Sequence, residues 1–287
     1  MSGSRGVPWA LRERDGGRGL VSGAGIGDNR TVQVRRVIGY QFDLAWEDAS
    51  RNEATVEAWL ESRRPEPGAL VVLPEMFSSG FSLNTAVVAQ PAQGATERRL
   101  SGLARRHGIW LVGGLAVRRP EGSTNEAVVW GPEGAEVVRY RKQRPFSPGG
   151  ESAAYRAGDE PAVFEWQGFR VAPFICYDLR FPELFRAATA RWRPELFVVI
   201  ASWPDKRVAH WLRLAQARAI EGQCYVVGVN RTGRDPSHAY AGRSVVIDPM
   251  GDIVADAGGE DGAVEAMLEE GPLREYRAKL PFLDDQR

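Results

Sequence analysis

The chain has 287 residues, 43% hydrophobic and 26% charged, the balance of a globular protein long enough to bury one large core or two small ones. Lys and Arg total 37 and Asp and Glu total 37, so no basic field recruits nucleic acid, and a small neutral or anionic substrate suits the chain better than a polymer. No apolar stretch reaches the roughly 20 residues of a membrane span. Two cysteines and three histidines exclude a disulfide scaffold and make a reducing cytoplasm the default setting. Neither cysteine stands in CxxC, and His107, His210 and His238 are scattered, so no zinc or other metal site is expected.

Residues 1–31 are Gly- and Arg-rich without a continuous apolar core, and read as a disordered extension instead of a secretory signal. The "GAGIG" there precedes no helix pattern and carries no weight as a dinucleotide loop. From residue 32 to 287 strand and helix signals alternate without a long linker, as in one domain. "VQVRRVIGYQF" predicts a strand, "EDASRNEATVEAWLESR" an amphipathic helix and "GALVVLP" a short buried strand. "ATERRLSGLARRHG" has helical spacing and a Gly stop before the strand "IWLVGGLAV". "TNEAVVWG" and "AEVVRYRK" form a hairpin closed by "PEG", and "FEWQGFRVAPFIC" gives two strands around a Gly turn. "FPELFRAATARW", "ELFVVIAS", "RVAHWLRLAQARAIEG" and "CYVVGVNR" continue helix, strand, helix, strand, and "AGRSVVIDPMGDIVADAG" closes with a hairpin. Runs such as "LVVLP" and "LFVVIAS" are apolar on consecutive positions, hence covered on both faces. Hairpins mixed with helical crossovers exclude a purely doubly wound sheet and leave a layered α/β domain.

Three residues carry candidate chemistry. Glu75 follows a buried strand directly after Pro74, among Met76, Phe77 and Phe81, where partial desolvation suits general acid–base work; the competing reading is a turn acid in water. Lys142, in "VVRYRKQRPF", reads by itself as a solvated lysine in an Arg-rich stretch. Cys176, in "PFICYDLRFPELF", ends an apolar strand where a turn and a helix begin. Packing is the default for a strand cysteine, and Cys224 is assigned to it. At Cys176, however, the N–H groups of Tyr177 and beyond are free of strand pairing and can face an anion, while a thiolate needs a base or cation nearby. Of the histidines only His210, on a helix, could be such a base, and its context is weak. Asp178 and Arg180 are expected to fix the turn as structural ion-pairing residues.

Together these stretches resemble the carbon–nitrogen hydrolase (nitrilase) superfamily, whose Glu–Lys–Cys order is matched by Glu75 in "LPEMF", Lys142 in "YRKQRPF" and Cys176 in "CYDLRFP". Further matching stretches are "ASWP", "ARAIEGQCYVVGVNRTG", "DPMGDIVADAG" and "REYRAKLPFLDDQR", so the likeness runs from about residue 35 to the end of the chain. "PEMFSSGF", "CYDLRFPELFR" and "ASWPDKRVAHWLRLAQARAIEGQ" are most similar to the ω-amidase branch, as is "PFSPGGESAAYRAG", whose Glu151 matches that branch's second Glu. Arg144 departs from the pattern, since relatives commonly carry His there.

The resemblance implies a four-layer αββα sandwich, a homodimer or larger assembly, and no metal or organic cofactor. It implies hydrolysis of the terminal amide of small dicarboxylic mono-amides such as 2-oxoglutaramate, through a thioester on Cys176. Glu75 would move protons, Lys142 and the Tyr177 N–H would stabilise the oxyanion, and Glu151 would hold Lys142 and the substrate amide. Phe81, Tyr177 and Trp203 would line the pocket, with Arg144 or Arg207 taking the free carboxylate. Rival readings are an N-carbamoyl amine amidohydrolase or a nitrilase of the same family, acyl transfer to an amine, and a non-catalytic scaffold on the same fold.

Overall fold

Successive side chains alternate between two buried faces along strands that are apolar almost throughout, and this divides the molecule into layers. The computed structural model describes residues 35–286; the extension expected over residues 1–31 lies outside them. In chain order the first half comprises β1 (Arg35–Gln41), α1 (Ala49–Arg63), β2 (Leu70–Val72), α2 (Thr85–Val88), β3 (Gln90–Pro91), α3 (Ala95–His107), β4 (Trp110–Arg119), β5 (Gly122–Trp130), β6 (Glu136–Arg141) and α4 (Glu151–Ala154). The second half comprises β7 (Phe164–Trp166), β8 (Phe169–Ile175), α5 (Pro182–Trp192), β9 (Leu196–Ala201), α6 (Val208–Gly222), β10 (Tyr225–Asn230), β11 (Thr232–Arg234), β12 (Ala239–Ala241), β13 (Val245–Ile247), β14 (Ile253–Asp256), β15 (Gly262–Leu268) and α7 (Glu270–Lys279).

The first sheet runs β15-β1-β2-β4-β5-β6, with β3 added beside β4, and the second runs β14-β13-β10-β9-β8-β7. Each has three parallel strands at its centre, β1-β2-β4 and β8-β9-β10, flanked by antiparallel neighbours. Val37, Leu70, Val72, Val112 and Val129 of the first sheet pack in one core with Phe174, Val198 and Val229 of the second. Their strand neighbours Ile38, Val71, Leu111 and Val128 point the other way, onto Val56 and Leu60 of α1 and Leu100 and Leu103 of α3. Period-two alternation in an unbroken apolar strand means two buried faces. Leu184 and Phe185 of α5 and Trp211 and Ala215 of α6 cover the second sheet, which completes the four-layer αββα sandwich.

Local signals set the helix ends. The Asp48 carboxylate accepts the Arg51 N–H at 3.0 Å and caps α1, and α3 stops at Gly108 with φ 63°. The alternation in "GAVEAML" went unread in the sequence: β15 returns from the second sheet's hairpin to pair antiparallel with β1. No helix among the described residues is long and apolar enough to cross a membrane.

Candidate active site

Open α/β sheets place their sites beyond the carboxyl ends of parallel strands, and here two such sheets meet. Glu75 lies three residues past β2, Lys142 directly follows β6, Cys176 directly follows β8 and Ser202 directly follows β9. The Glu75 loop lies so close to β4 that a Cβ at Gly114 would sit 2.6 Å from the Pro74 carbonyl oxygen and 2.7 Å from the Glu75 Cα. Lys142 is pinned by its N–H donating to the Asn125 carbonyl at 2.9 Å. Cys176 takes the left-handed φ of 48° and starts a 3-10 turn, Cys176–Arg180. The first N–H groups of such a turn, those of Cys176 and Tyr177, have no acceptor inside it.

The three charged groups converge in a dry cluster. Lys142 Nζ donates to Glu75 Oε1 at 2.8 Å and to Glu151 Oε1 and Oε2 at 3.0 and 2.7 Å. Glu75 Oε2 accepts the Ser202 N–H at 2.8 Å, and Glu151 Oε2 accepts the Phe146 N–H at 2.5 Å. Glu75 and Glu151 are fully buried and Lys142 is 1% exposed, so the solvated reading of that lysine does not hold. Burial opposes the ammonium, but Glu151, Glu75 and Cys176 together hold its pKa well above the usual value. It stays cationic and is no proton shuttle. Burial also pushes the Cys176 thiol well above its usual range, with Glu75 adding to the rise and Lys142 opposing it. The resting sulfur is therefore a thiol, 4.0 Å from the Ser202 carbonyl oxygen that accepts from it, and it needs a base to become a nucleophile.

Against that geometry stand the comparisons with known proteins. The carbon-nitrogen hydrolase family model matches residues 32–277. The chain is 36% identical to a 2-oxoglutaramate amidase of Bacillus subtilis, covering 86% of this chain and 95% of the relative. It is 37% identical to omega-amidase YafV of Yersinia enterocolitica, covering 85% and 94%. Among solved structures it superposes on XC1258 of Xanthomonas campestris, a CN-hydrolase superfamily protein with an arsenic adduct in the active site, with TM-score 0.83 at 34% identity over 88% of this chain and 97% of that one. The chain belongs to the carbon-nitrogen hydrolase family.

In this carbon-nitrogen hydrolase a pocket of about 420 Å³, its open mouth included, leads to Cys176 and Lys142 past Phe81, Tyr177, Trp203 and Arg207. Phe81 lies 5.4 Å under the Lys142 ammonium, Tyr177 packs edge-on to Phe146 at 5.0 Å, and Trp203 Nε1 donates to the Arg207 carbonyl at 2.8 Å. Arg144 is not in the lining. Its guanidinium lies 3.6 Å from Glu183 and 5.5 Å from the centre of the Phe181 ring, whereas Arg207, the other arginine expected to meet a carboxylate, lines the pocket.

The expected ion pairing of Asp178 and Arg180 is also corrected. Asp178 fixes the turn through neutral donors, accepting from Tyr140 Oη at 2.8 Å, Ile175 N at 3.0 Å and Arg144 N at 2.9 Å. Burial pushes its carboxyl up to about 7 against the pull of Lys142 and these donors. Arg180 lines the pocket, lies 4.8 Å over Trp203 and touches His210 Nδ1 at 3.3 Å; no described carboxylate is within ion-pair distance of it. His210 therefore faces Arg180 and not the thiol, which removes it as a base for Cys176. Cys224 is fully buried in the core between strands and α6.

Sequence reading missed Asn125, Ser202, Arg180, His238 and Tyr240 as site residues. An Asn in a strand otherwise built to be buried, "TNEAVVW", was the available signal for the first. His238 and Tyr240 reach the pocket because Asp235 folds their loop, accepting the Ser237 and His238 N–H groups at 2.7 and 2.6 Å and the Tyr240 hydroxyl. That closure follows from β11 and β12 pairing, which the local sequence does not announce.

Proposed function

We propose that this enzyme hydrolyses the terminal amide of small dicarboxylic mono-amides of the 2-oxoglutaramate type, through a thioester on Cys176. One observation carries the reading: a thiol, a carboxylate and a locked ammonium meet at the floor of a pocket whose wall holds two arginines, Arg180 and Arg207, without a described carboxylate partner. The substrate amide goes to the thiol and its carboxylate to the arginines. The activities named for the similar amidases agree with this.

The steps follow from the groups present. Glu75 accepts the thiol proton as sulfur attacks the carboxamide carbon. The oxygen that gains charge faces the Tyr177 N–H and the field of Lys142, whose own protons are engaged by the two glutamates; one fixed donor of this kind is typically worth about 10²–10³ in rate. Glu75 passes its proton to the nitrogen, ammonia leaves and the thioester remains. Water then enters, Glu75 takes a proton from it, and hydroxide attack releases the second carboxylate while the proton returns to sulfur. Glu151 keeps Lys142 in place throughout.

The same reading includes a cytoplasmic homodimer. Exposed Ile220 and Met250, on α6 and on the β13–β14 turn that packs against it, supply apolar surface for assembly, and light scattering would read its mass. The function is tested by ammonia release from 2-oxoglutaramate, an N-carbamoyl amine, an aliphatic nitrile and a neutral aliphatic amide. Expected are preference for 2-oxoglutaramate, no turnover by Cys176→Ala, and an Arg207→Met variant whose KM rises about tenfold or more for 2-oxoglutaramate alone, the loss of a charge-assisted contact. Preference for the nitrile or carbamoyl substrate removes the ω-amidase assignment, and turnover by Cys176→Ala removes the mechanism.

A further inference from the structure

One buried residue outside the Glu–Lys–Cys set meets both glutamates through its side chain and Lys142 through its backbone. Asn125 lies in β5 and is 1% exposed. Its carbonyl holds the Lys142 N–H, and its Nδ2 donates to Glu75 Oε1 at 2.7 Å and to Glu151 Oε1 at 2.9 Å. Its Oδ1 has no hydrogen-bond partner among the described residues. The two carboxylates alone therefore orient this amide. Strand alternation sends its neighbours Thr124 and Glu126 to the other face, where Glu126 meets Arg119 and Arg139, so the Asn125 side chain faces the site by itself.

The charge count explains why a neutral donor is needed. Two carboxylates share one ammonium, and both give an oxygen to the same Nδ2. Like charges that close drive one of the pair to keep a proton, whereas each hydrogen bond to an ionised oxygen favours ionisation. The amide group has two hydrogens, one for each carboxylate, and adds no charge that would bind substrate or trap the thiolate. We propose that Asn125 is a positioning residue that binds Glu75 and Glu151 through one amide and holds Glu75 free to take the Cys176 proton. This rests on the reading of Glu75 as the base and not on which amide is the substrate.

The test uses the full chain with Asn125→Ala and Asn125→Ser, and reads two pH profiles. One is kcat/KM for ammonia release; the other is the rate of Cys176 alkylation by iodoacetamide, followed by mass, which is independent of substrate choice. With both donors gone, the acid limb of each profile moves to higher pH by about one unit. The fall in kcat is about 10–100-fold, the range for lost hydrogen bonds to charged groups, with KM little changed because Asn125 does not line the pocket. Asn125→Ser, which keeps one donor, falls between. In a Glu151→Gln background, where one negative charge is already removed, Asn125→Ala costs only about threefold or less. A folded Asn125→Ala or Asn125→Ser protein with an unmoved acid limb overturns the proposal and leaves a structural brace. An undiminished cost in the Glu151→Gln background does the same. Absence of 2-oxoglutaramate turnover in the wild type, with the alkylation limb of the variants moved as expected, counts against the substrate reading and supports the role of Asn125.

Discussion

The backbone at Cys176 occupies a region that residues with a Cβ avoid, φ 48°, at a cost of roughly 1–2 kcal/mol. Met76, beside Glu75, has φ 44°, so strained residues flank both the nucleophile and its base, as stored backbone strain often does at working sites. The bend takes the sulfur off the sheet and into the pocket. Cys176→Gly should therefore melt about 2–4 °C above Cys176→Ala, the equivalent of about 1 kcal/mol, although both lose turnover. Scanning calorimetry decides it, and a more stable Ala variant would show that this bend stores no strain. The strand-end position of Cys176 was legible in "PFICYDLRF"; its φ was not, because a turn's handedness depends on what packs around it. Lys142 shows a signal present but unused. In "RYRK" the arginines alternate with Tyr140 and Lys142, and alternation in a strand separates faces. Arg139 duly pairs outward with Glu97 and Glu136, while Tyr140 reaches Asp178 inside.

At the next scale, the turn after β8 works as a unit because Asp178 ties it to β6 through Tyr140 and to the Lys142 loop through the Arg144 N–H. Burial of this carboxyl outweighs the pull of Lys142 and of the neutral donors that fasten the turn, and its pKa rises from the usual 3.8 to about 7. The folded protein thus binds this proton more tightly than the unfolded chain does. Its contribution to stability is full below about pH 4, falls as the pH rises through 7 and is gone above that. Asp178→Asn should flatten the profile: between pH 5 and pH 8 the wild type loses more stability than the variant in urea titrations. Equal losses would mean that Asp178 is ionised throughout that range. The sequence "CYDLR" suggested that Asp178 and Arg180 fix the turn by ion pairing with their neighbours. Tertiary placement decides otherwise, with Asp178 turned inward and Arg180 turned to the pocket.

Across the whole molecule, the site exists only while two sheets keep their register. Glu75, Asn125 and Lys142 come from the first sheet and its loops, Cys176 and Ser202 from the second, and the Ser202 N–H to Glu75 bond at 2.8 Å crosses between them. Local patterns predicted most strands but not which sheet each joins, since period-two burial is the same in either; the likeness to a known family supplied the four layers and not that assignment. A glycine sits where the two sheets pack against each other. A Cβ on Gly39 in β1 would stand 2.5 Å from Val229 Cγ2 in β10 and 2.9 Å from Val264 Cγ1 in β15, and β-branched side chains have little freedom to turn aside. Val229 precedes Asn230, whose side chain accepts the Trp203 N–H at 2.7 Å and donates to the Trp203 carbonyl at 3.0 Å. Pushing β10 away therefore moves the pocket wall as well. Gly39→Ala should cost about 1–3 kcal/mol from overpacking and lower kcat about tenfold or more, because small misplacements across a site are expensive. Adding Val229→Ala removes the clashing methyl groups on β10 and should restore most of the lost kcat at some further cost in core packing. Urea melts and steady-state rates on the four proteins of the cycle test this; a Gly39→Ala enzyme with wild-type kcat would show that the two halves of the site do not depend on the spacing between the sheets.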